Sequence, residues 1–237
     1  MSARRRIDLN ADLGEGVTDD AGLLAVVSSA NVACGYHAGD VATMTAVCEE
    51  AARRGVAVGA QVSYDDREGF GRRALDVPHD VLREQVADQV RALSAIAVRA
   101  GTRVGYLKPH GALYHRVAED REQADAVLLG SADLPVLGLP GSLLLELASA
   151  AGRATWSEGF PDRGYRGAGF TGGLLPRDQP GALVEDPAEV ATRAVALAGS
   201  GRVDSVCVHG DSPGAVATAT AVRDALLTAG FDVRPVG

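Results

Sequence analysis

Lysine is almost absent from this chain, and its one occurrence lies in an unusual context. The 237 residues include 23 Lys and Arg residues together, and only Lys108 among them is a lysine. It lies in the run VGYLKPHGALYH, directly before Pro109 and His110. Lys carries a compact ammonium whose pKa shifts readily on burial, whereas the guanidinium of Arg is a wide planar fork. A lysine on a solvated surface is the alternative, but the flanking Pro109 and His110 favour a functional Lys108.

The same scarcity excludes one mode of ATP binding. A P-loop requires the pattern GxxxxGK[ST], and the single lysine is followed by proline, so the sequence contains no Walker A motif. The run GAGFTG at 167–172 does match GxGxxG, but it follows a loop and precedes no helix-like pattern. We therefore interpret it as a mobile loop rather than a dinucleotide fingerprint. A GxSxG nucleophile elbow is absent as well.

Cysteine, long apolar runs and positive charge are also scarce. The three cysteines, Cys34, Cys48 and Cys207, show no paired or metal-type spacing, which favours reduced thiols and a cytoplasmic location. No apolar run reaches about 18 residues, and the N-terminus lacks the apolar segment of a signal peptide, so we expect no membrane association. The net charge of −8 with a pI of about 5.1 argues against a nucleic-acid-binding surface.

Short apolar segments alternate with helix-like segments along the whole chain. The predicted strands cover Ile7–Ala11, Ala30–Cys34, Val56–Ala60, Val104–Lys108, Pro135–Leu139, Ala154–Glu158 and Ser205–His209. The predicted helices cover Val41–Arg54, Pro78–Ala100, Leu143–Ala151, Pro187–Ala198 and Gly214–Ala229. Such alternation predicts a parallel sheet with helices outside it. About seven units favour a single α/β domain over residues 1–237, a (β/α) barrel, with an open doubly wound sheet as the alternative.

Two segments interrupt this alternation, Gln61–Arg73 and Gly159–Pro180. Both are long, rich in glycine and charged. Loops of that length inside a compact domain are usually functional. We therefore expect them to act as lids or binding loops.

Polar residues follow the predicted strands directly, at the positions where α/β barrels and parallel sheets build active sites. His37, His110 and His209 each follow a different strand and stand next to or near glycine. Imidazole and carboxylate groups at these ends could also bind a divalent metal, for which the candidates are Asp8, Asp12, His37 and His110. No HxH or HExxH pair is present, so no metal-binding motif supports that alternative.

Six runs of the sequence share a known order and spacing. IDLNADLGEG, SANVACGYHAGD, EGFGRR, LKPHGALYH, EGFPDRGYRG and VCVHGDSPGAV extend from about residue 7 to residue 216. They resemble the signature runs of the LamB/YcsF family, the A subunit of prokaryotic 5-oxoprolinase. The resemblance implies a (β/α) barrel of the glycoside hydrolase/deacetylase type with about seven strands. It also implies ATP-dependent opening of 5-oxo-L-proline to L-glutamate, in a complex with two further subunits, B and C.

The chain departs from this family pattern at one point. Many members carry His-Pro in the third-strand run, where this chain has Gln61 and Val62. The role of that histidine as an acid, base or ligand cannot be carried over. Gln61 offers only the hydrogen bonds of an amide.

The chemistry implied by the resemblance assigns roles to the residues after the strands. A lactam is a poor electrophile, and phosphorylation of its amide oxygen opens the carbon to water, provided that cations or donors stabilise the phosphate and the oxyanion. Lys108 is the candidate cation, Asp12 and His110 are candidate bases, and His37 would orient or protonate the ring nitrogen. The catalytic candidates are therefore Asp12, His37, Lys108 and His110. Arg72 or Arg163 would bind the substrate carboxylate. The full set of substrate-binding candidates is Asn10, Tyr64, Arg72, Asp162, Arg163, His209 and Asp211.

The resemblance also implies a co-substrate and partners. ATP is the implied co-substrate, a divalent metal could enter as Mg with ATP or as a site metal, and subunits B and C are the implied partners. Two other functions stay open. The chain could be a metal-dependent deacetylase or amidohydrolase that acts without ATP, or a non-catalytic subunit that binds its partners.

Overall fold

The computed structural model describes residues 5–17, 19–210 and 214–237. The strands are β1 (Arg6–Leu13), β2 (Ser29–Ala33), β3 (Ala57–Val62), β4 (Val104–Pro109), β5 (Val136–Gly138), β6 (Thr155–Gly159), β7 (Tyr165–Gly167), β8 (Thr171–Leu174), β9 (Ser205–Val208) and β10 (Asp232–Val233). The helices are α1 (Asp20–Leu24), α2 (Val41–Arg54), α3 (His79–Arg99), α4 (Gly111–Arg116), α5 (Arg121–Gly130), α6 (Leu143–Ala150), α7 (Pro187–Ser200) and α8 (Ala215–Thr228).

Within these ranges seven parallel strands form a closed barrel. Their order is β1-β2-β3-β4-β5-β6-β9, and β9 pairs with β1 to close it. The closing register places Asp8 opposite Ser205 and Asn10 opposite Cys207. The two-residue strand β10 also pairs with β1, near its start. The predicted (β/α) barrel is confirmed, the open sheet is excluded by the β1–β9 pairing, and each predicted strand matches a barrel strand.

Local sequence explains where several helices begin and end. The Asp40 side chain caps α2 by accepting a hydrogen bond from the backbone N–H of Thr43 at 2.8 Å, and Gly55 ends it with a φ of 69°. Asp186 caps α7, and Pro187 occupies its first turn. The five predicted helices are confirmed, whereas α1, α4 and α5 were not predicted. None of the helices in the described ranges has the length and hydropathy needed to cross a membrane.

The segment Gly159–Pro180, predicted to be a loop, contains an antiparallel hairpin of β7 and β8. The GAGFTG run at 167–172 spans its turn, in which Gly169 and Phe170 both have a φ of 64°. Because the run leads into a strand and not into a helix, it lacks the context of a dinucleotide fingerprint. The Arg163 guanidinium ties the hairpin down by donating to the carbonyl oxygens of Leu175 at 2.7 Å and Ala182 at 3.1 Å.

The inside of the barrel is polar, while the apolar core lies between the strands and the helices. Strand β1 shows the division, because its odd-numbered residues join the apolar core and Asp8, Asn10 and Asp12 contact polar groups of other strands. The Tyr106 ring fills the barrel beside Gly59, and its O–H donates to Asn31 Oδ1 at 2.7 Å. The interior is therefore a packed polar network and not a channel.

Candidate active site

A pocket of about 560 Å³ opens at the carboxyl-terminal ends of the barrel strands. Residues that end or follow four different strands form part of its lining, among them Asp12, Lys108, Phe160 and His209. The volume is that of a small-molecule site. The position is also the one where barrel enzymes build their active sites.

Lys108 lies at the floor of this pocket and is only 3% exposed. Its Nζ is 2.9 Å from Oε2 of Glu158 and 3.3 Å from Oδ1 of Asp12. It also contacts Oδ1 of Asn10 at 3.3 Å and Sγ of Cys207 at 3.2 Å. Burial alone would lower the pKa of Lys108, but the carboxylates of Asp12 and Glu158 outweigh it and raise that pKa well above its usual range. The pocket floor therefore carries a fixed ammonium.

A layer of polar residues holds the two carboxylates in place. Nδ2 of Asn31 donates to Oδ1 of Asp12 at 2.9 Å and to Oδ1 of Asn10 at 2.7 Å. The Tyr114 O–H donates to Oε1 of Glu158 at 2.8 Å. Removing one member of a buried ion pair leaves an uncompensated charge and typically costs about 3–5 kcal/mol. These hydrogen bonds hold both carboxylates beside the ammonium.

Asp12 is the counter-ion of Lys108. Burial would raise the pKa of this carboxyl, but the charge of Lys108, the largest opposing effect, lowers it well below its usual range. A carboxylate stabilised to this degree stays ionised and is a weak base. The geometry therefore favours a holding role for Asp12 over the predicted role as base.

His37, His110 and Glu15 form a second cluster. The two imidazole rings stack with centroids 3.9 Å apart and planes 12° from parallel. Oε1 of Glu15 is 3.6 Å from Nε2 of His37 and 3.7 Å from Nδ1 of His110. Nε2 of Gln61 contacts the same Glu15 oxygen at 3.2 Å and Nδ1 of His110 at 3.0 Å. Burial, followed by the neighbouring His37, lowers the pKa of His110 to about 3, so this imidazole is neutral at neutral pH.

The residues that could hold a metal differ in part from those predicted. One ligand atom each from Glu15, His37 and His110 lie within 4.8 Å of one another. Asp8 is not near them, since its carboxylate accepts hydrogen bonds from Ser28, Ser29 and Ser205. Asp12 is engaged by the ammonium of the first cluster. The structure thus brings His37 and His110 together, as predicted, but replaces Asp8 and Asp12 by Glu15.

Asp162 and His209 form a hydrogen-bonded pair at the pocket. Oδ2 of Asp162 accepts the backbone N–H of His209 at 2.9 Å and lies 2.8 Å from its ring Nδ1. Because Nδ1 donates to the carboxylate, Nε2 is the ring nitrogen with a lone pair to offer. Burial would raise the pKa of Asp162, but His209 outweighs it and lowers that pKa, so the carboxylate stays ionised. An oriented imidazole of this kind is a suitable general base.

The pocket rim is positively charged although the whole chain is acidic. The arginines that line it are Arg72, Arg163, Arg166 and Arg177. Arg163 is only 4% exposed, and its guanidinium bonds backbone carbonyls of the hairpin, so it anchors that hairpin while adding charge to the rim. The Arg72 guanidinium lies over the Phe70 ring, 4.9 Å from its centroid. The rim suits an anionic ligand.

Among the described residues, three that were predicted to bind substrate do not line the pocket: Tyr64, Asn10 and Asp162. Tyr64 has no exposed surface, and its O–H donates to Oε1 of Gln123 at 2.9 Å; it is a core residue, which corrects the prediction. Asn10 is also fully buried, and its side chain contacts Lys108 and Glu158. The prediction that Asn10 contacts the substrate directly is therefore wrong. Asp211 lies outside the described residues.

Several residues of the site received no predicted role, among them Glu15, Tyr114, Glu158 and Phe160. Glu15 and Glu158 each stand at or just after a predicted strand end, and that position was the signal available for them. Phe160 lies under Lys108, whose Nζ is 5.4 Å from the ring centroid. An aromatic residue in an apolar context carries no sequence signal that separates a pocket wall from ordinary core.

Comparisons with known proteins show which family the chain resembles. The sequence matches the model of the LamB/YcsF family over residues 7–237. A protein of Streptomyces avermitilis, named as the A subunit of 5-oxoprolinase, is 55% identical over 248 residues, covering 96% of this chain and 98% of its own. A Mycobacterium leprae protein of the same name is 49% identical over 249 residues, with the same coverage of each chain.

Solved structures show the same fold. The crystal structure of a lactam utilization protein from Thermus thermophilus matches with a TM-score of 0.90 and 37% identity, over 98% of this chain and 100% of that one. A family 4 carbohydrate esterase from Streptomyces lividans matches with a TM-score of 0.57 and 10% identity, over 98% of this chain and 93% of that one; this likeness concerns the deacetylase-like barrel alone. By its family match and its near full-length relatives, the chain belongs to the LamB/YcsF family.

Proposed function

We propose that this chain is the A subunit of a 5-oxoprolinase, which opens the ring of 5-oxo-L-proline to L-glutamate with ATP as co-substrate and with subunits B and C as partners. The observation that carries the proposal is the ammonium of Lys108, fixed between Asp12 and Glu158 at the floor of an arginine-rimmed pocket. Relatives about half identical to the chain are named as the A subunit of 5-oxoprolinase, and this supports the assignment.

The reaction requires the lactam carbon to be activated. Transfer of the γ-phosphoryl group of ATP to the amide oxygen releases ADP and leaves an electrophilic carbon. Water adds to that carbon, the C–N bond breaks as the nitrogen takes a proton, and the product is an acyl phosphate. A second water cleaves the acyl phosphate to glutamate and phosphate. The first addition places the C=N electron pair on nitrogen, which takes up a proton, and the second generates negative charge on the carbonyl oxygen. A fixed cation beside the reacting carbon stabilises that oxyanion and the phosphoryl oxygens, and so lowers the barrier.

The residues of the pocket can divide this work. In the proposal the Lys108 ammonium faces the developing oxyanion, and the Nε2 lone pair of His209 accepts the proton of the attacking water while Asp162 orients the ring. The rim charge of Arg72, Arg166 and Arg177 attracts the phosphoryl group and the substrate carboxylate. No Walker A motif is present, so binding of the ATP phosphates would rest on these arginines or on another subunit of the complex.

Reconstitution tests the proposal. Glutamate release is measured from 5-oxo-L-proline with the chain alone, with B and C alone and with all three, each with and without ATP. We expect release only from the complete mixture with ATP. Equal release by B and C alone would contradict a catalytic role, and release by the chain without ATP would support the amidohydrolase alternative.

Lys108→Arg sharpens the same test. It keeps the charge but replaces a point donor by a planar fork, and we expect glutamate release by the complete mixture to fall about 100-fold or more, as on removal of an oxyanion-stabilising group. The matched control is Arg166→Lys, on the exposed part of the rim, for which we expect a fall of less than tenfold. Near-normal activity of Lys108→Arg would refute the role given to the ammonium.

A further inference from the structure

The second cluster, together with Gln61, contains two buried hydrogen-bond acceptors without a partner among the described residues. The cluster comprises Glu15, His37 and His110, the side-chain amide of Gln61 contacts Glu15 and His110, and none of the four residues is more than 8% exposed. Glu15 and His110 line the pocket, and His37 lies behind them with 1% exposure. None of these residues contacts the Lys108 ammonium within hydrogen-bond distance among the contacts of the described residues.

The orientation of His37 is fixed by Ser63. The Ser63 O–H donates to the carbonyl oxygen of Tyr64 at 2.9 Å, so its oxygen accepts the Nδ1–H of His37 at 2.9 Å. Nε2 of His37 is therefore the ring nitrogen with the lone pair. It is buried without a hydrogen-bond partner among the described residues, and it faces Oε1 of Glu15 at 3.6 Å.

His110 is fixed in the same way. Its Nε2 lies 3.1 Å from the carbonyl oxygen of Phe70, an acceptor, so Nε2 carries the hydrogen and Nδ1 carries the lone pair. That lone pair and Oε1 of Glu15 share one donor, the amide nitrogen of Gln61. Within the described part of the chain, Oε1 of Gln61 is itself buried without a partner. A carboxylate, two imidazole lone pairs and an amide oxygen thus lie together. Two of these acceptors, Nε2 of His37 and Oε1 of Gln61, are buried without a partner among the described residues, which is an arrangement that a cation satisfies.

We propose that Glu15, His37 and His110 bind a divalent transition-metal ion of the Zn²⁺ type, with Oε1 of Gln61 as a fourth ligand. Imidazole together with carboxylate suits such ions. The Glu15 oxygen lies 3.6 and 3.7 Å from the two ring nitrogens, close to the separation of about 3.3 Å between ligands that surround Zn²⁺ tetrahedrally at about 2.0–2.1 Å. Mg²⁺ prefers octahedral oxygen ligands and is not expected here.

Binding requires two local adjustments. The rings are 12° from parallel, so one of them tilts about its Cβ–Cγ bond before both lone pairs meet at one ion. The Gln61 side-chain amide flips, which exchanges the positions of Oε1 and Nε2 and brings Oε1 toward Glu15 and His110. The hydrogen bonds from His37 to Ser63 and from His110 to Phe70 use the opposite ring nitrogens. They orient metal-binding imidazoles as outer-shell partners do in known sites.

Metal binding by the purified full chain tests the site without substrate, ATP or partners. The wild type is stripped with a chelator, titrated with Zn²⁺ by calorimetry, desalted and analysed for metal content. We expect one retained equivalent of Zn²⁺ and a rise in the melting temperature, with no comparable effect of Mg²⁺. Failure of the wild type to retain Zn²⁺, or a Mg²⁺ response of equal size, would overturn the proposal.

Variants assign the ion to this cluster. His37→Asn and the isosteric Glu15→Gln are expected to lose stoichiometric Zn²⁺, and Ser63→Ala, which only orients His37, is expected to weaken binding about 10–100-fold. The control is His79→Asn, because His79 lies near Asp80 and Asp125 at the surface and is the obvious place for adventitious Zn²⁺. Loss of Zn²⁺ in this control with retention in Glu15→Gln would overturn the proposal. Since the readout is bound metal, its outcome is independent of the proposed 5-oxoprolinase activity.

Discussion

At the scale of single residues, the structure explains why the one lysine of the chain cannot be another arginine. Nζ of Lys108 alone makes four contacts of 3.3 Å or less, to Asn10, Asp12, Glu158 and Cys207. Donors of a guanidinium are spread over a plane and cannot converge on one such point. The sequence indicated the lysine by its rarity. It could not indicate Glu158 as partner, because that contact spans 50 residues of chain and depends on how the strands pair around the barrel.

Asp8, which closes the opposite end of the barrel interior, predicts a pH dependence of stability. Burial, opposed by hydrogen bonds from Ser205, Ser28 and Ser29, raises the pKa of Asp8 from 3.8 to about 6. Between these values the folded chain holds a proton that the unfolded chain has lost. The free energy of unfolding therefore falls as the pH rises from about 4 to 6, by roughly 3 kcal/mol at about 1.36 kcal/mol per pKa unit.

Asp8→Asn isolates this contribution, because asparagine does not titrate. Urea unfolding at pH 4 and pH 7 is compared for the wild type and the variant, so that other titrating groups, common to both, cancel. We expect the loss of stability between pH 4 and pH 7 to be smaller in the variant by up to about 3 kcal/mol. Asp88→Asn, in an exposed ion pair with Arg91, serves as control, and an equal response of the two variants would contradict the account.

At the scale of elements, the close packing of β3 against β4 depends on a missing side chain. A Cβ on Gly59 would lie 2.2 Å from Cε2 of Tyr106, whose ring fills the barrel interior and is held by Asn31. We expect Gly59→Ala to lower the free energy of unfolding by at least about 1–3 kcal/mol, as overpacking does. Chemical denaturation measures the loss.

Gly105→Ala, on the neighbouring strand, is the matched control. A Cβ there meets only the backbone oxygen of Val58 at 3.7 Å, which is an ordinary contact. We expect a change within about 0.5 kcal/mol. Equal free energies of unfolding for the two alanine variants would contradict this expectation, because they would show that the Tyr106 ring moves aside without loss of stability.

The elements also show which parts of the fold could be predicted from the sequence. Strands such as β4 and β9 were predictable because a strand buried in a parallel sheet is a short apolar run between polar or glycine residues. The helix α4 was not, because it has only six residues and no side-chain cap. The hairpin of β7 and β8 was not either, because its strands are short and β8 contains two adjacent glycines, which are depleted in strands.

At the scale of the whole molecule, the two halves of the chain meet in one polar network. Asp12 in β1, Lys108 in β4 and Glu158 in β6 are linked by one ammonium, and the β1–β9 pairing joins the ends of the sheet. We expect urea unfolding to be a single cooperative transition. The only tryptophan, Trp156 in β6, allows the fluorescence transition to be compared with that of far-UV circular dichroism.

Coincident midpoints for the two probes are the expected result. A chain of this length can populate intermediates, and if Trp156 fluorescence changed at a different urea concentration from the circular dichroism signal, the barrel would not unfold as one unit.

Closure of the barrel between β1 and β9 has a consequence for the order in which the strands assemble during synthesis. Asp8 and its partner Ser205 are 197 residues apart in the chain, and closing so long a loop is a slow, non-local step. The residues between β1 and β9 must therefore leave the ribosome before β1 can pair with its neighbour on that side. Until β9 pairs with β1, the polar side chains of β1 lack partners such as Ser205 and contact only residues of the strands that precede β9. The strand that carries Asp12 is therefore made long before its pairing is complete, and the pocket floor gains its last barrel strand only when β9 arrives.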